Sequence, residues 1–89
     1  MAWTIEIDDK ARKQLRKIGK QNAERIISYL DTRVAPLANP RTVGRALEGQ
    51  QFNHLWRYKV GDYRIICDIQ DKKLVVLVVE VGHRREIYR

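Results

Sequence analysis

Residues 55–70 read L-W-R-Y-K-V-G-D-Y-R-I-I-C-D-I-Q, two runs rich in aromatic and β-branched residues on either side of a Gly-Asp pair. Apolar and charged residues alternate through W-R-Y-K-V, residues 56–60, the period of a strand with one buried face. Glycine in the first place of a two-residue connection favours a type II′ turn, whose twist suits a hairpin. So short a loop leaves no freedom of register. Val60 then faces Tyr63, Tyr58 faces Ile65 and Trp56 faces Cys67, and this apolar set predicts the core face. The opposite face brings Lys59 beside Arg64, Arg57 beside Ile66 and Leu55 beside Asp68. Like charges set opposite one another destabilise a hairpin, so three cations here are a cost that a purely structural sheet would avoid. A solvated, cation-rich sheet face accounts for the same residues without any ligand.

After the hairpin, D-K-K leads into L-V-V-L-V-V-E-V, residues 74–81. Its run from Leu74 to Val79 is apolar at every position, which predicts a central strand covered on both faces, with the first strand of the chain beside it. A three-residue D-K-K connection is predicted, because that version sets Arg64 opposite Glu80 and turns Arg84 toward Arg57, Lys59 and Arg64. Before the hairpin, residues 38–54 show no sustained period and read as a loop following Pro36 and Pro40. Two amphipathic helices precede it. Ala11, Leu15 and Ile18 mark the first, capped by Asp8 or Asp9 and closed at Gly19, with Lys10, Arg12, Lys13, Arg16 and Lys17 on its other faces. Ala23, Ile26, Ile27, Leu30 and Val34 mark the second, from about Lys20 to Val34. Trp3, Ile5 and Ile7 alternate with Thr4 and Glu6 as an opening strand. The expected fold is α+β in the order β-α-α-β-β-β, a helical hairpin packed on one face of a four-stranded, largely antiparallel sheet whose other face stays open.

The 89 residues make a single domain, 1–89, too small to bury more than about 60 to 65% of its unfolded surface. Lys and Arg number 18 against 11 Asp and Glu, for a formal charge of +7. Residues 1–54 carry ten cations and six anions, residues 55–89 eight and five, so the charge belongs to the folded surface and not to one arm. A basic surface suits a polyanion, since cations that neutralise phosphates gain affinity by counterion release. The single Cys67 excludes an internal disulfide and a cysteine-built zinc site, and a reducing cytoplasm is expected. No export signal or membrane-spanning run is visible.

On or near the open face lie Arg57, Lys59, Arg64, His83, Arg84, Arg85 and Tyr88: cations and one phenol, with no carboxylate cluster. Two histidines without such a cluster are poor metal-site material, no Ser or Cys nucleophile has an evident partner, and the phosphate-loop and dinucleotide fingerprints are absent. Guanidiniums bind phosphate and stabilise the charge that develops in phosphoryl transfer. If the substrate is RNA, its own 2′-hydroxyl is the nucleophile, and the protein needs only a base, a charge clamp and a proton donor; no metal or cofactor is required. Tyr88, its phenol acidified by neighbouring guanidiniums, and His83 are both candidates for the proton transfers. Each equally suits a bland role, Tyr88 packing the C-terminus and His83 standing in solvent at a strand end.

Y-K-V-G-D-Y-R-I-I together with L-V-V-L-V-V-E-V-G-H-R-R-E-I-Y-R resembles the RelE family of toxins of bacterial type II toxin–antitoxin systems, over essentially the whole chain. The resemblance implies the microbial RNase-type fold of that family and a cytoplasmic, ribosome-dependent mRNA endonuclease that cuts in the ribosomal A site. It implies that Arg64 holds the scissile phosphate, that Arg84 stabilises charge or acts as acid, and that Tyr88 stacks on a base or takes the 2′-hydroxyl proton. Arg57 matches a position of a family lysine, while a second family lysine falls at Leu55. Lys13, Arg16, Lys17, Lys59, Arg85 and Arg89 are the expected RNA or phosphate contacts. The implied partners are a RelB-like antitoxin, mRNA and the ribosome with its rRNA, with DNA contacted only through the antitoxin and no membrane. Two other readings share these residues: a ParE-like toxin that inhibits DNA gyrase by protein contact, and a non-catalytic RNA-binding domain. Against the last, Trp3, Trp56, Tyr58 and Tyr63 are predicted to face the core and not to stack on bases.

Overall fold

A computed structural model describes residues 2–48 and 54–87. The elements run β1 (Thr4–Ile7), α1 (Asp9–Lys17), α2 (Lys20–Tyr29), a π turn (Leu30–Val34), a 3-10 turn (Pro40–Thr42), β2 (Arg45–Ala46), β3 (Leu55–Val60), β4 (Tyr63–Gln70), β5 (Val75–His83) and α3 (Arg84–Ile87). The sheet order is β1-β5-β4-β3-β2, with β1 parallel to β5 and every other pair antiparallel. β5, the most apolar run of the chain, is thus an interior strand, with β1 on one side and β4 on the other. A fifth strand corrects the expected four. It is only two residues long, too short for any period to show, and it pairs Arg45 with Arg57 and Ala46 with Trp56.

The central hairpin has the register dictated by its turn: Val60 opposite Tyr63, Tyr58 opposite Ile65, Trp56 opposite Cys67 and Lys59 opposite Arg64. Gly61 has φ +59° and Asp62 is not at positive φ, the sign pattern of a type II′ turn. The second connection differs from expectation. Gln70 pairs with Val75, so four residues turn the chain, the last of them Leu74 in the left-handed region at φ 55°. Arg64 therefore lies opposite Gly82, and Ile66 opposite Glu80. Between Ile66 and Cys67 the register shifts, leaving Val79 as an extra residue on β5. This bulge re-aims the end of β5, restoring the alternation that the four-residue loop had inverted. Glu80 and Gly82 consequently share the face of Arg64.

The helices cover one face. Asp8 caps α1, its carboxylate accepting from the Ala11 N–H at 2.8 Å, and Gly19 at φ +95° separates the two helices. The stripe predicted for a single second helix continues through Val34, but its last five residues are in π form, with the Ala35 N–H donating to Leu30 O at 2.8 Å. Ala11, Leu15, Ile26, Leu30 and Val34 pack against Tyr58, Ile65, Cys67, Val76, Val78 and Val81. Beyond Val78 the outer edge of β5 is taken over by α1: the Gln14 side-chain oxygen accepts from the Val81 N–H at 2.7 Å, as a neighbouring strand would. Among the described residues, no helix is long and apolar enough to cross a membrane.

Cys67 has no solvent exposure, and burial pushes its thiol pKa up, with the nearby Asp68 carboxylate acting the same way. Burial raises the Tyr58 phenol likewise. Both groups bind their protons more tightly in the fold than in the unfolded chain, where they titrate near about 8.5 and about 10. Their contribution to stability is complete below about pH 8 and declines as the pH rises through those values. Urea unfolding at pH 7 and pH 10 is expected to show the lower stability at pH 10. The native thiol should be inert to Ellman's reagent at pH 8 and react on denaturation; fast native labelling would contradict its burial.

Candidate active site

The uncovered face of the sheet is built by strand alternation alone. Arg57 and Lys59 on β3, Arg64 and Ile66 on β4, and Glu80 and Gly82 on β5 project to it. Arg45, directly opposite Arg57, adds a fourth cation. Sequence periodicity could not find Arg45 because its strand is too short to display one; the only local signal is Gly44, whose φ of +78° lets the chain close against β3. Tyr29, Gly44, Arg45, Arg57 and Lys59 line a groove of about 290 Å³ at this edge.

Arg64 is only 6% exposed, so it forms the floor of the face, whereas Lys59 and Arg45 stand in solvent and Arg57 is half-buried. Its Nη1 donates to Gly61 O and Tyr63 O, both at 3.1 Å, which fixes the guanidinium against its own hairpin turn. The same turn holds the end of β5: the Arg84 N–H donates to Asp62 O at 2.8 Å. Three successive carbonyls of one turn thereby organise Arg64 and the backbone of Arg84, bringing both predicted arginines to one corner of the sheet. The side chains of Arg84 and Arg85 are exposed there. Tyr88 and Arg89 lie outside the described residues.

Other predicted residues fall elsewhere. His83 pairs with Tyr63, which places it on the helix-facing side, its ring edge-on to that tyrosine with centroids 6.0 Å apart. Lys13 and Lys17 line a groove with Lys10 and Gln14 on α1, where Lys10 reaches Glu80 at 3.3 Å across the edge of β5. Arg16 is turned away from them, into an apolar groove between the helices floored by Ile7, Leu15, Ala23 and Ile27 and rimmed also by Arg12 and Lys20. Among the described residues, no group of three or more His, Cys, Asp or Glu is placed to hold a metal ion.

The family described as "ParE toxin of type II toxin-antitoxin system, parDE" matches residues 5–88. The Escherichia coli K12 protein named mRNA interferase toxin RelE is 31% identical over 90 residues, 99% of this chain and 92% of that protein. The chain belongs to the RelE/ParE family of type II toxins. Toxin RelG of Mycobacterium tuberculosis is 26% identical to this RelE/ParE toxin over 91 residues, covering all of this chain and 99% of that one. Among solved structures, free E. coli RelE with two arginines replaced by alanine superposes with a TM-score of 0.77 at 29% identity, covering 99% of this chain and 92% of that chain. A chain of the M. tuberculosis RelBE2 toxin–antitoxin complex reaches a TM-score of 0.83 at 21% identity, covering 94% of this chain and 93% of that one, which shows a shared fold.

Proposed function

We propose that this RelE/ParE toxin is a ribosome-dependent mRNA endonuclease of the mRNA interferase type, acting in the cytoplasm within the ribosomal A site. The observation that carries the reading is the gathering of Arg45, Arg57, Lys59 and Arg64 on one open sheet face with Arg84 at its corner, in a chain 31% identical to a protein named mRNA interferase. In the proposed reaction a base removes the proton of the substrate 2′-hydroxyl, and O2′ attacks the adjacent phosphorus. The bond from phosphorus to O5′ breaks as O5′ takes up a proton, leaving a 2′,3′-cyclic phosphate and a 5′-hydroxyl. Arg64 and Arg57 hold the phosphate and offset the charge it gains, Arg84 stabilises the leaving oxygen or protonates it, and Tyr88 takes the 2′-hydroxyl proton or stacks on a base. No metal enters these steps. Lys13 and Lys17, with Lys59, Arg85 and Arg89, are assigned to RNA phosphates of message or rRNA.

The partner is a RelB-like antitoxin, by analogy with the RelB–RelE complexes of related fold from Pyrococcus horikoshii and Methanococcus jannaschii, and DNA is contacted only through it. The apolar groove between α1 and α2, with Arg12, Arg16 and Lys20 on its rim, suits an acidic amphipathic segment of such a partner. The match to the ParE toxin family favours one other reading, inhibition of DNA gyrase by protein contact. Primer extension on mRNA in programmed ribosomes separates the two. Wild-type protein is expected to produce cuts that vanish with Arg64→Ala, with Arg84→Ala and on ribosome-free RNA; uncut message in cells that still arrest would point to gyrase.

A further inference from the structure

His83 occupies the last position of β5, one residue before the turn of helix that carries Arg84. A group that moves a proton must come within hydrogen-bond reach of the reacting oxygen. Register denies His83 that reach, since its partner is Tyr63, on the side of the sheet where Tyr58, Ile65 and Val81 meet the helices. The Tyr63 hydroxyl is itself engaged by the Asn22 amide of α2 at 3.3 Å, and Asn22 is held in turn by Ile18 O at 3.0 Å. His83 therefore rests edge-on against a tyrosine that is tied to the junction of the two helices.

The imidazole is also committed. Its Nδ1 accepts from the Arg85 N–H at 3.2 Å, so the neutral ring carries its proton on Nε2. A side-chain acceptor on the residue before a helix, bonded to the N–H of the second helical residue, is an N-cap. Two consecutive backbone N–H groups are satisfied in this way, Arg84 by Asp62 O and Arg85 by His83. Together they fix the direction in which the chain leaves β5.

We propose that His83 is a positioning residue, the cap that holds the C-terminal turn and so places Arg84 at the cationic face, and that it takes no part in proton transfer. The functional half of this proposal rests on the nuclease reading; the capping half does not. Asparagine is the discriminating substitution. Its side-chain oxygen sits close to where Nδ1 does and is among the best N-caps, yet it cannot exchange a proton near neutral pH.

The test compares wild type, His83→Asn and His83→Ala by amide hydrogen exchange at Arg85 and by cleavage of mRNA in programmed ribosomes. Protection of the Arg85 amide is expected in wild type and His83→Asn and lost in His83→Ala. Cleavage is expected to stay within about threefold of wild type in His83→Asn and to fall on the order of tenfold in His83→Ala, the scale of a lost cap. Equal loss of cleavage in both variants with Arg85 still protected in His83→Asn would overturn the proposal and return His83 to proton transfer. An Arg85 amide indifferent to all three side chains would overturn it as well. Should wild type itself leave message uncut, the nuclease reading falls, and the exchange pattern alone decides the cap.

Discussion

Replacing Arg64 with alanine is expected to lower the rate of mRNA cleavage by about 10²–10³-fold, the scale of removing one preorganised charge donor from a reacting phosphate or oxyanion. The magnitude follows from how the side chain is held. A guanidinium already fixed by Gly61 O and Tyr63 O needs no reorganisation when charge builds on the phosphate. The same substitution costs stability as well, about 2 kcal/mol for the lost charged hydrogen bonds, because Arg64 is buried. Lysine separates the two effects. It keeps the charge, but its single nitrogen cannot both hold the turn carbonyls, as Nη1 of Arg64 does, and offer further planar N–H donors to a phosphate, so Arg64→Lys should recover little of the rate. Single-turnover cleavage in programmed ribosomes, run beside urea unfolding, provides both numbers. A rate unchanged in Arg64→Ala would remove Arg64 from the mechanism, whatever its stability. Lys59→Ala is the stability control, since an exposed side chain of this kind should change folding by no more than about 0.5 kcal/mol.

The corner that Arg64 shares with Arg84 was legible in the sequence to the extent that short-range rules determine it. A Gly-Asp loop of two residues allows one pairing, and that pairing alone puts Arg57, Lys59 and Arg64 on one face. The apolar run of β5 announced a strand inside the sheet, and β1 lies beside it, although β4 and not β5 is the middle of the five. What escaped depends on backbone conformations that side-chain patterns do not encode. Leu74 in a left-handed conformation makes the β4–β5 loop one residue longer than expected, and the extra Val79 cancels the resulting inversion, so the right face was reached through the wrong register. The chemistry of His83 suits proton transfer, whereas strand parity puts it on the helix-covered side of the sheet, beside Tyr63. Arg45 gave no signal, because its contribution depends on a two-residue strand held in place by Gly44.

Gly44→Ala is accordingly expected to be among the more damaging single substitutions, and comparison with Gly19→Ala isolates the reason. Both glycines sit at positive φ, +78° and +95°, where an L side chain costs about 1–2 kcal/mol. Their surroundings differ. A Cβ at Gly19 meets nothing within 4 Å, whereas one at Gly44 falls 2.5 Å from Arg57 O, 2.8 Å from Trp56 Nε1 and 2.9 Å from Tyr58 Cδ1. None of these can yield cheaply. Arg57 O belongs to the strand that β2 pairs with, the Trp56 indole donates to Val43 O at 2.7 Å, and Tyr58 is fully buried with its hydroxyl bonded to Pro40 O at 2.8 Å. Relief requires β2 to lift from β3. Strain and overpacking together should cost about 3–4 kcal/mol, against about 1–2 kcal/mol at Gly19. For a chain of this size that lowers the melting temperature by roughly 12–30 °C in Gly44→Ala, well beyond the shift in Gly19→Ala. Equal shifts would mean that the close approach at Gly44 is not a constraint. Because lifting β2 also takes Arg45 away from Arg57, Gly44→Ala assayed below its melting temperature should cleave message more weakly than Gly19→Ala, which leaves the cationic face intact.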